Sequence, residues 1–280
     1  KNAVVTATGS RGSVALKSGD TLDLTALCEG TDDTITLRAR SGSMQAEKRV
    51  TFLRYDNVST MFLVSDDPVN EGREWVESSE DKSNRAKGSM ALLAADGESV
   101  YDGKLTQIKG RGNSTWKGAK RPYQIKLDKK TDLLQTGDSA DKAKTWVLLA
   151  NFYDPSAVRN MLALDLGRAL QMECNMGYRP VCLFYDGEFR GLYLLTEKVE
   201  VNEGRVNVTD LEKANEKANP DVEDLTKLES KTGTTANGAT YLYCDGMNDP
   251  ADITGGYLLE MDFADRAMAE KCYFITARGF

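Results

Sequence analysis

Residues 104–130 read KLTQIKGRGNSTWKGAKRPYQIKLDKK, nine Lys or Arg against one Asp, a local charge of +8. The 280-residue chain carries −7, so everything outside this stretch sums to −15. Gly110, Gly112 and Gly118 punctuate the stretch, and Tyr123-Gln-Ile-Lys-Leu127 then alternates apolar and polar with the period of a strand. A glycine-bent loop exposes backbone N–H groups, and a strand behind it holds Lys120, Arg121 and Lys126 in fixed directions. Those are parts for a phosphate-bearing ligand, a nest of amides plus positioned cations. The same parts also make a solvated basic hairpin, and charge alone does not choose between the two.

The length suits one large or two modest domains, and 40% hydrophobic with 28% charged residues is ordinary for a globular protein. Apolar runs such as Trp146–Ala150 are far too short to span a bilayer. Lys1-Asn-Ala-Val-Val-Thr6 is strand-like rather than a secretory leader, so an exported protein would carry its signal peptide outside this chain. The acidic remainder argues against nucleic acid as a partner, because that footprint needs a broad basic face. No histidine occurs, which removes Ser-His and Cys-His nucleophiles and any His-ligated metal. Cys28, Cys174, Cys182, Cys244 and Cys272 form no C-x-x-C pair, which argues against structural zinc and against a disulfide framework. A metal here is expected to be a hard cation on carboxylate and phosphate oxygens.

Residues 1–57 read as a small β-sandwich of immunoglobulin type, with strands at Val4–Thr8, Ser13–Leu16, Thr21–Ala26, Thr34–Ala39 and Lys48–Arg54 between Gly/Ser/Asp turns. Met61-Phe-Leu-Val64 opens a second domain, residues 58–280. Residues 67–88 read as a surface excursion and 209–238 as a helix fragment plus a mobile loop. Asp154 and Pro155 stand where a helix N-cap and first turn belong. Val158, Met161, Leu162, Leu166, Ala169 and Leu170 then make one apolar stripe, so a helix over 155–170 is expected to pack on a sheet. Asp186-Gly187 between two apolar runs is a hairpin signal, and Thr254–Phe263 reads as one more strand. The fold class expected is α+β, a β-sandwich followed by an antiparallel sheet with a packed helix.

Arg111-Gly-Asn-Ser-Thr-Trp116 with Lys120–Leu127, then Trp146–Ala163, then Tyr185–Glu200, come in the order and spacing of three blocks. Together they resemble the CotH (spore coat protein H) kinase family, over about residues 58–263. The resemblance implies a kinase-like lobe and an atypical protein kinase that uses ATP with Mg²⁺ or Mn²⁺. It implies bacterial origin, secretion or a place on the cell or spore surface, and a serine-containing surface or coat protein as substrate. It places nucleotide phosphates against Arg111, Asn113, Ser114, Lys120 and Arg121, and an adenine-edge connector at Glu197, Lys198 and Val199. Asp154, Arg159 and Asn160 read as structural support.

In the family a catalytic Asp follows in an Asn-x-Asp segment and a metal Asp in Trp-Asp-x-Asp. Both are expected to be missing here, since Trp75, Trp116 and Trp146 all lie upstream, and the chain is read as stopping before its catalytic half. Glu260 and Asp262, same-face neighbours on the expected last strand, are weak candidates for a metal pair. An alternative is a non-catalytic extracellular adhesin module. A third reading, a glycoside hydrolase using those two acids, has no other motif behind it.

Overall fold

The alternation seen in 123–127 governs the second half of the molecule. In a computed structural model, residues 3–29, 32–53, 57–137, 141–222, 229–234, 236, 238, 240–244 and 247–260 are described. The chain divides into two units, residues 1–60 with 92–99, and residues 61–91 with 100–280.

In the first unit, β1 (Val4–Gly9), β2 (Gly12–Leu16), β3 (Asp32–Ser41) and β4 (Met44–Leu53) form one antiparallel sheet, ordered β2-β1-β3-β4. The expected strand at Thr21–Ala26 is instead a short helix, α1 (Leu24–Leu27). Ala7, Leu27, Cys28 and Ile35 make its core, with Leu16, Leu37 and Phe52 packed against them. The described residues thus give one sheet closed by a helical turn, where two facing sheets were expected.

The second unit is built on a closed barrel. Its strands are β5 (Ser59–Ser65), β6 (Arg85–Leu93), β7 (Ser99–Gly110), β8 (Tyr123–Thr131), β9 (Ala143–Leu149), β10 (Tyr178–Tyr185) and β11 (Glu188–Glu197). They run in the order β10-β11-β9-β8-β7-β6-β5. Register fixes which side chains meet: Ile125 lies opposite Ile108 and Trp146, and Trp146 opposite Glu197. Tyr123, Ile125, Leu127, Trp146, Tyr185 and Tyr193 are fully buried. Tyr123 meets Tyr185 edge-on at 5.5 Å and stacks on Tyr193 at 6.0 Å, so aromatic rings fill the space between walls.

The β10–β11 hairpin turns at Asp186-Gly187, both with positive φ (50° and 80°), the left-handed pair a two-residue turn requires. The Asp186 carboxylate accepts from Ser65 N at 2.7 Å and Arg73 N at 2.8 Å. It therefore ties the hairpin tip to β5 and to a short helix, α2 (Arg73–Ser78), inside the segment read as a loop. After the barrel come α4 (Leu211–Ala218), where a helix fragment was expected, and a small hairpin, β12 (Ser230–Thr234) with β13 (Thr240–Cys244), whose first strand stands where a mobile loop was expected.

Two expectations fail here. Helix α3 (Arg159–Ala169) starts four residues later than Pro155, and its apolar stripe does not pack: Leu162, Leu166 and Leu170 are 69%, 58% and 66% exposed. The helix is held by the following turn instead, through Asn175 Nδ2 to Leu164 O at 2.9 Å and the Tyr178 hydroxyl to Asp165 at 2.8 Å. Thr254–Glu260 is exposed chain without strand pairing, and the remainder of that expected strand, including Asp262, lies outside the described residues.

Gly110 is where β7 leaves the barrel, and a Cβ there would stand 2.4 Å from Trp116 Cη2. Gly110→Ala is expected to destabilise the protein by about 1–3 kcal/mol, because a buried indole has to move. Chemical denaturation measures it, and an unchanged midpoint would mean that Trp116 does not need the glycine.

Candidate phosphate-binding site

The loop between β7 and β8, residues 111–122, is pinned from several sides. A one-turn 3-10 helix (Ser114–Lys117) carries Trp116, whose Nε1 donates to Ser79 O at 2.9 Å. Arg111 N donates to Pro122 O at 3.2 Å, closing the loop base. Lys82 Nζ donates to Gly112 O at 2.9 Å, and the Tyr153 hydroxyl donates to Ser114 O at 3.2 Å.

The anchor of this arrangement is Glu77, on α2 with 17% of its side chain exposed. Its carboxylate takes Arg73 Nη1 at 2.8 Å, lies 3.5 Å from Arg190 Nη2, and accepts the Tyr123 hydroxyl. Its backbone carbonyl accepts from Arg121 Nη1. Arg121 also lies over the Trp116 ring at 4.8 Å, and its own carbonyl accepts from the Tyr193 hydroxyl at 2.9 Å. Burial first, then the fields of Tyr193 and Glu77, push the Tyr123 phenol far above its ordinary range, so it stays a donor. Arg121, expected on the phosphate, is thus held as a strut of the loop.

Lys120 is half-buried, not in open solvent. It does not face Arg111 or Glu197–Val199: its Nζ donates to Leu192 O and sits 4.6 Å from the Tyr193 ring centre. Burial holds its ammonium below the usual lysine range. Asn113 and Ser114 are exposed at the loop tip, and Arg111 is half-buried with its guanidinium held below its usual range by burial.

Sequence reasoning missed a different set of cations. Lys109, half-buried on β7, is depressed by burial first and then by Arg85, Lys198 and Lys82. The hairpin closure at Ala94 N to Glu98 O (2.8 Å) places Arg85, at the far end of β6, beside the end of β7 that carries Lys109. Lys82, Arg85 and Lys109 therefore stand together next to the Gly110–Gly112 bend, and the charge of Lys198 also reaches Lys109. Among the described residues, Arg85, Lys109 and Arg111 have no carboxylate ion-pair partner, while Lys198 lies 3.6 Å from Glu200. Parity along β7 was the available signal, since Lys109 and Arg111 share a face.

Glu197 is buried at 9% exposure, accepts from Gly177 N at 2.7 Å and pairs with Arg205 at 3.2 Å. Burial raises its carboxyl above the ordinary glutamate range, against the pull of Gly177 N and Arg205. Val199 is exposed. Asp154 is not the N-cap, a place Val158 takes; its carboxylate accepts from Ser156 and from Arg159 N at 2.9 Å in the turn before the helix, and these bonds hold it below its ordinary range. Arg159 is 78% exposed with Asp154 as its ion-pair partner, and Asn160 Nδ2 donates to Asn151 Oδ1 at 2.7 Å. All three serve the turn before α3.

The expectation that no Asn-x-Asp occurs needs correction, because Asn219-Pro-Asp221 is one. Asn219 is buried, with its amide on Asn215 O and Asn248 O, both at 2.9 Å, while Asp221 is exposed. Among the described residues no three Asp, Glu, Cys or His side chains gather as a metal site, and Glu260 is exposed. Cys28 and Cys182 are buried and Cys174 is exposed. No helix among the described residues is long and apolar enough to cross a membrane.

Replacing Glu77 with Ala is expected to cost about 3–5 kcal/mol, since Arg73, Arg190 and Tyr123 lose a common acceptor in a largely buried site. Equilibrium unfolding of E77A is the check, and a loss below about 1 kcal/mol would mean the anchor is dispensable.

A search of curated proteins returned no match. The model of the family described as "CotH kinase protein" matches residues 108–243, from the end of β7 through β13, and so takes in all three sequence blocks. Over that stretch, just under half of its length, the chain is similar to the CotH kinase protein family.

Proposed function

We propose that the second unit is the nucleotide-binding part of an atypical, CotH-type protein kinase whose acceptor is serine on a surface or coat protein. The observation that carries the proposal is the gathering of Lys82, Arg85 and Lys109 beside a glycine bend, with the charge of Lys198 also reaching Lys109. Cations of one sign, partly desolvated at Lys82, Lys109 and Lys198 and without carboxylate partners at Lys109 and Arg85, repel one another. A polyanion relieves that repulsion, and half-buried Arg111 next to them offers a planar donor fork for phosphate oxygens. Phosphoryl transfer asks a protein mainly for such positioning and charge stabilisation.

The family match supports nucleotide and divalent-metal use. The antiparallel barrel with α2 inserted after β5 fits a kinase-like small lobe by analogy of fold. Magnesium or manganese would arrive with the phosphates. The described residues offer no carboxylate cluster for it, so no transfer step is assigned to this chain. In this reading Lys198, with Glu197 and Val199, borders the nucleotide, and Lys120 and Arg121 keep the loop in shape.

ATP is expected to bind and adenosine not, because the phosphates supply the attraction. Lys109→Ala and Arg111→Ala should each weaken ATP about tenfold, the loss of one charge-assisted contact. Added salt should weaken the wild type more than either variant. Titration calorimetry at two ionic strengths measures this. Equal affinity for ATP and adenosine, or none for ATP, would overturn the assignment and favour a display or adhesive module. In a transfer assay with Mg²⁺ and a serine-rich acceptor, the chain should show binding without turnover. Turnover abolished by Glu260→Ala would move the chemistry to the 254–260 segment.

A further inference from the structure

Arg205 is a cation in the wrong place for its type. Its side chain is 3% exposed, and Nε, Nη1 and Nη2 are buried without a hydrogen bond. It has one ion pair, Nη1 to Glu197 Oε1 at 3.2 Å, and its Cζ lies 4.8 Å from the Trp146 ring centre. A guanidinium carries five donors and normally reaches for water along a flexible stem. Holding it inside with its donors unused is costly, so the surrounding fold must impose its position.

The backbone does impose it. Arg205 N donates to Asn202 O at 3.1 Å, Asn202 N to Val206 O at 3.1 Å, and Val206 N to Glu200 O at 3.2 Å. A bridge between Val201 and Val206 closes this small loop and turns Arg205 inward. Its two contacts are themselves rigid: Glu197 Oε2 is fixed by Gly177 N at 2.7 Å, and Trp146 is fully buried with Nε1 on Ala143 O at 3.1 Å. Glu200 and Asp141, also within electrostatic reach, help keep the guanidinium charged against its burial. Lys198 stands between the two held points, one residue past Glu197 and two before Glu200.

We infer that Arg205 is a positioning residue: by locking the 198–206 loop onto Glu197 and Trp146 it sets where Lys198 stands, and thereby the affinity for nucleotide phosphates. This rests on the phosphate-site reading above. A lysine cannot substitute, because a point charge on a flexible stem neither stacks flat on an indole nor holds a fixed fork direction.

The test is a double-mutant cycle on the whole chain with ATP as probe, joined to amide hydrogen exchange of residues 198–206. Arg205→Lys should raise the ATP dissociation constant about tenfold, Lys198→Ala should do the same, and the double variant should lose no more than either. Arg205→Lys should also speed exchange across 198–206. Glu197→Gln, which keeps the shape and removes the charge, should reproduce both effects if Arg205→Lys folds poorly. Unchanged affinity and exchange in these variants would overturn the inference. So would additive losses, which would make Arg205 a general stabiliser. A wild-type chain that does not bind ATP overturns the phosphate reading and the affinity half of this inference, while exchange at 198–206 decides the locking half by itself.

Discussion

One carboxylate with three donors organises the mouth of the barrel. Glu77 sits where little water reaches, so each of Arg73, Arg190 and Tyr123 has to be in place for the charge to be tolerated. Those partners come from α2, β11 and β8, so the node ties a helix to two walls of the barrel. Its backbone carbonyl adds Arg121, and Arg121 brings the loop, through Trp116 to Ser79 and through its own carbonyl to Tyr193. The loop geometry therefore depends on a buried ion pair more than on the loop's own sequence. This also separates two kinds of cation in the basic stretch. Arg121 is consumed by the scaffold and Lys120 by Leu192 O, which leaves Lys109 and Arg111 as the half-buried cations nearest the glycine bend.

Much of the barrel was legible because its strands carry a local period. The Tyr123–Leu127 alternation, the apolar run at Trp146–Ala150 and the Asp-Gly turn each encode their structure within a few residues. The β8, β9, β10 and β11 strands follow from them. What escaped was encoded at long range. Helix α2 has only six residues and buries only Val76, so no period marks it, yet it carries the anchor. The α3 stripe is only weakly one-sided in the helix that forms, and its Leu162, Leu166 and Leu170 stay exposed, because a pattern states what a face prefers and not what covers it.

The site was legible as charge and not as geometry. A +8 stretch inside an acidic chain drew attention to 104–130. Which of its nine basic residues stay available depends on Ser79, Leu192 and Glu77, far away in sequence. Lys82 and Arg85 join from outside the stretch because β6 lies beside β7, and Lys198, past the end of β11, acts on Lys109 through its charge. Glu197 and Arg205 add a second buried pair beside Trp146, which holds the exit from β11 in its turn.

The central claim is that the Glu77-anchored loop presents a phosphate site. The most direct measurement compares amide hydrogen exchange of the whole chain with and without saturating ATP. The account predicts slowed exchange concentrated in residues 109–115 and 198–202, with the first unit unaffected. Slowing that is absent from 109–115, or that appears instead over the exposed face of α3, would contradict it.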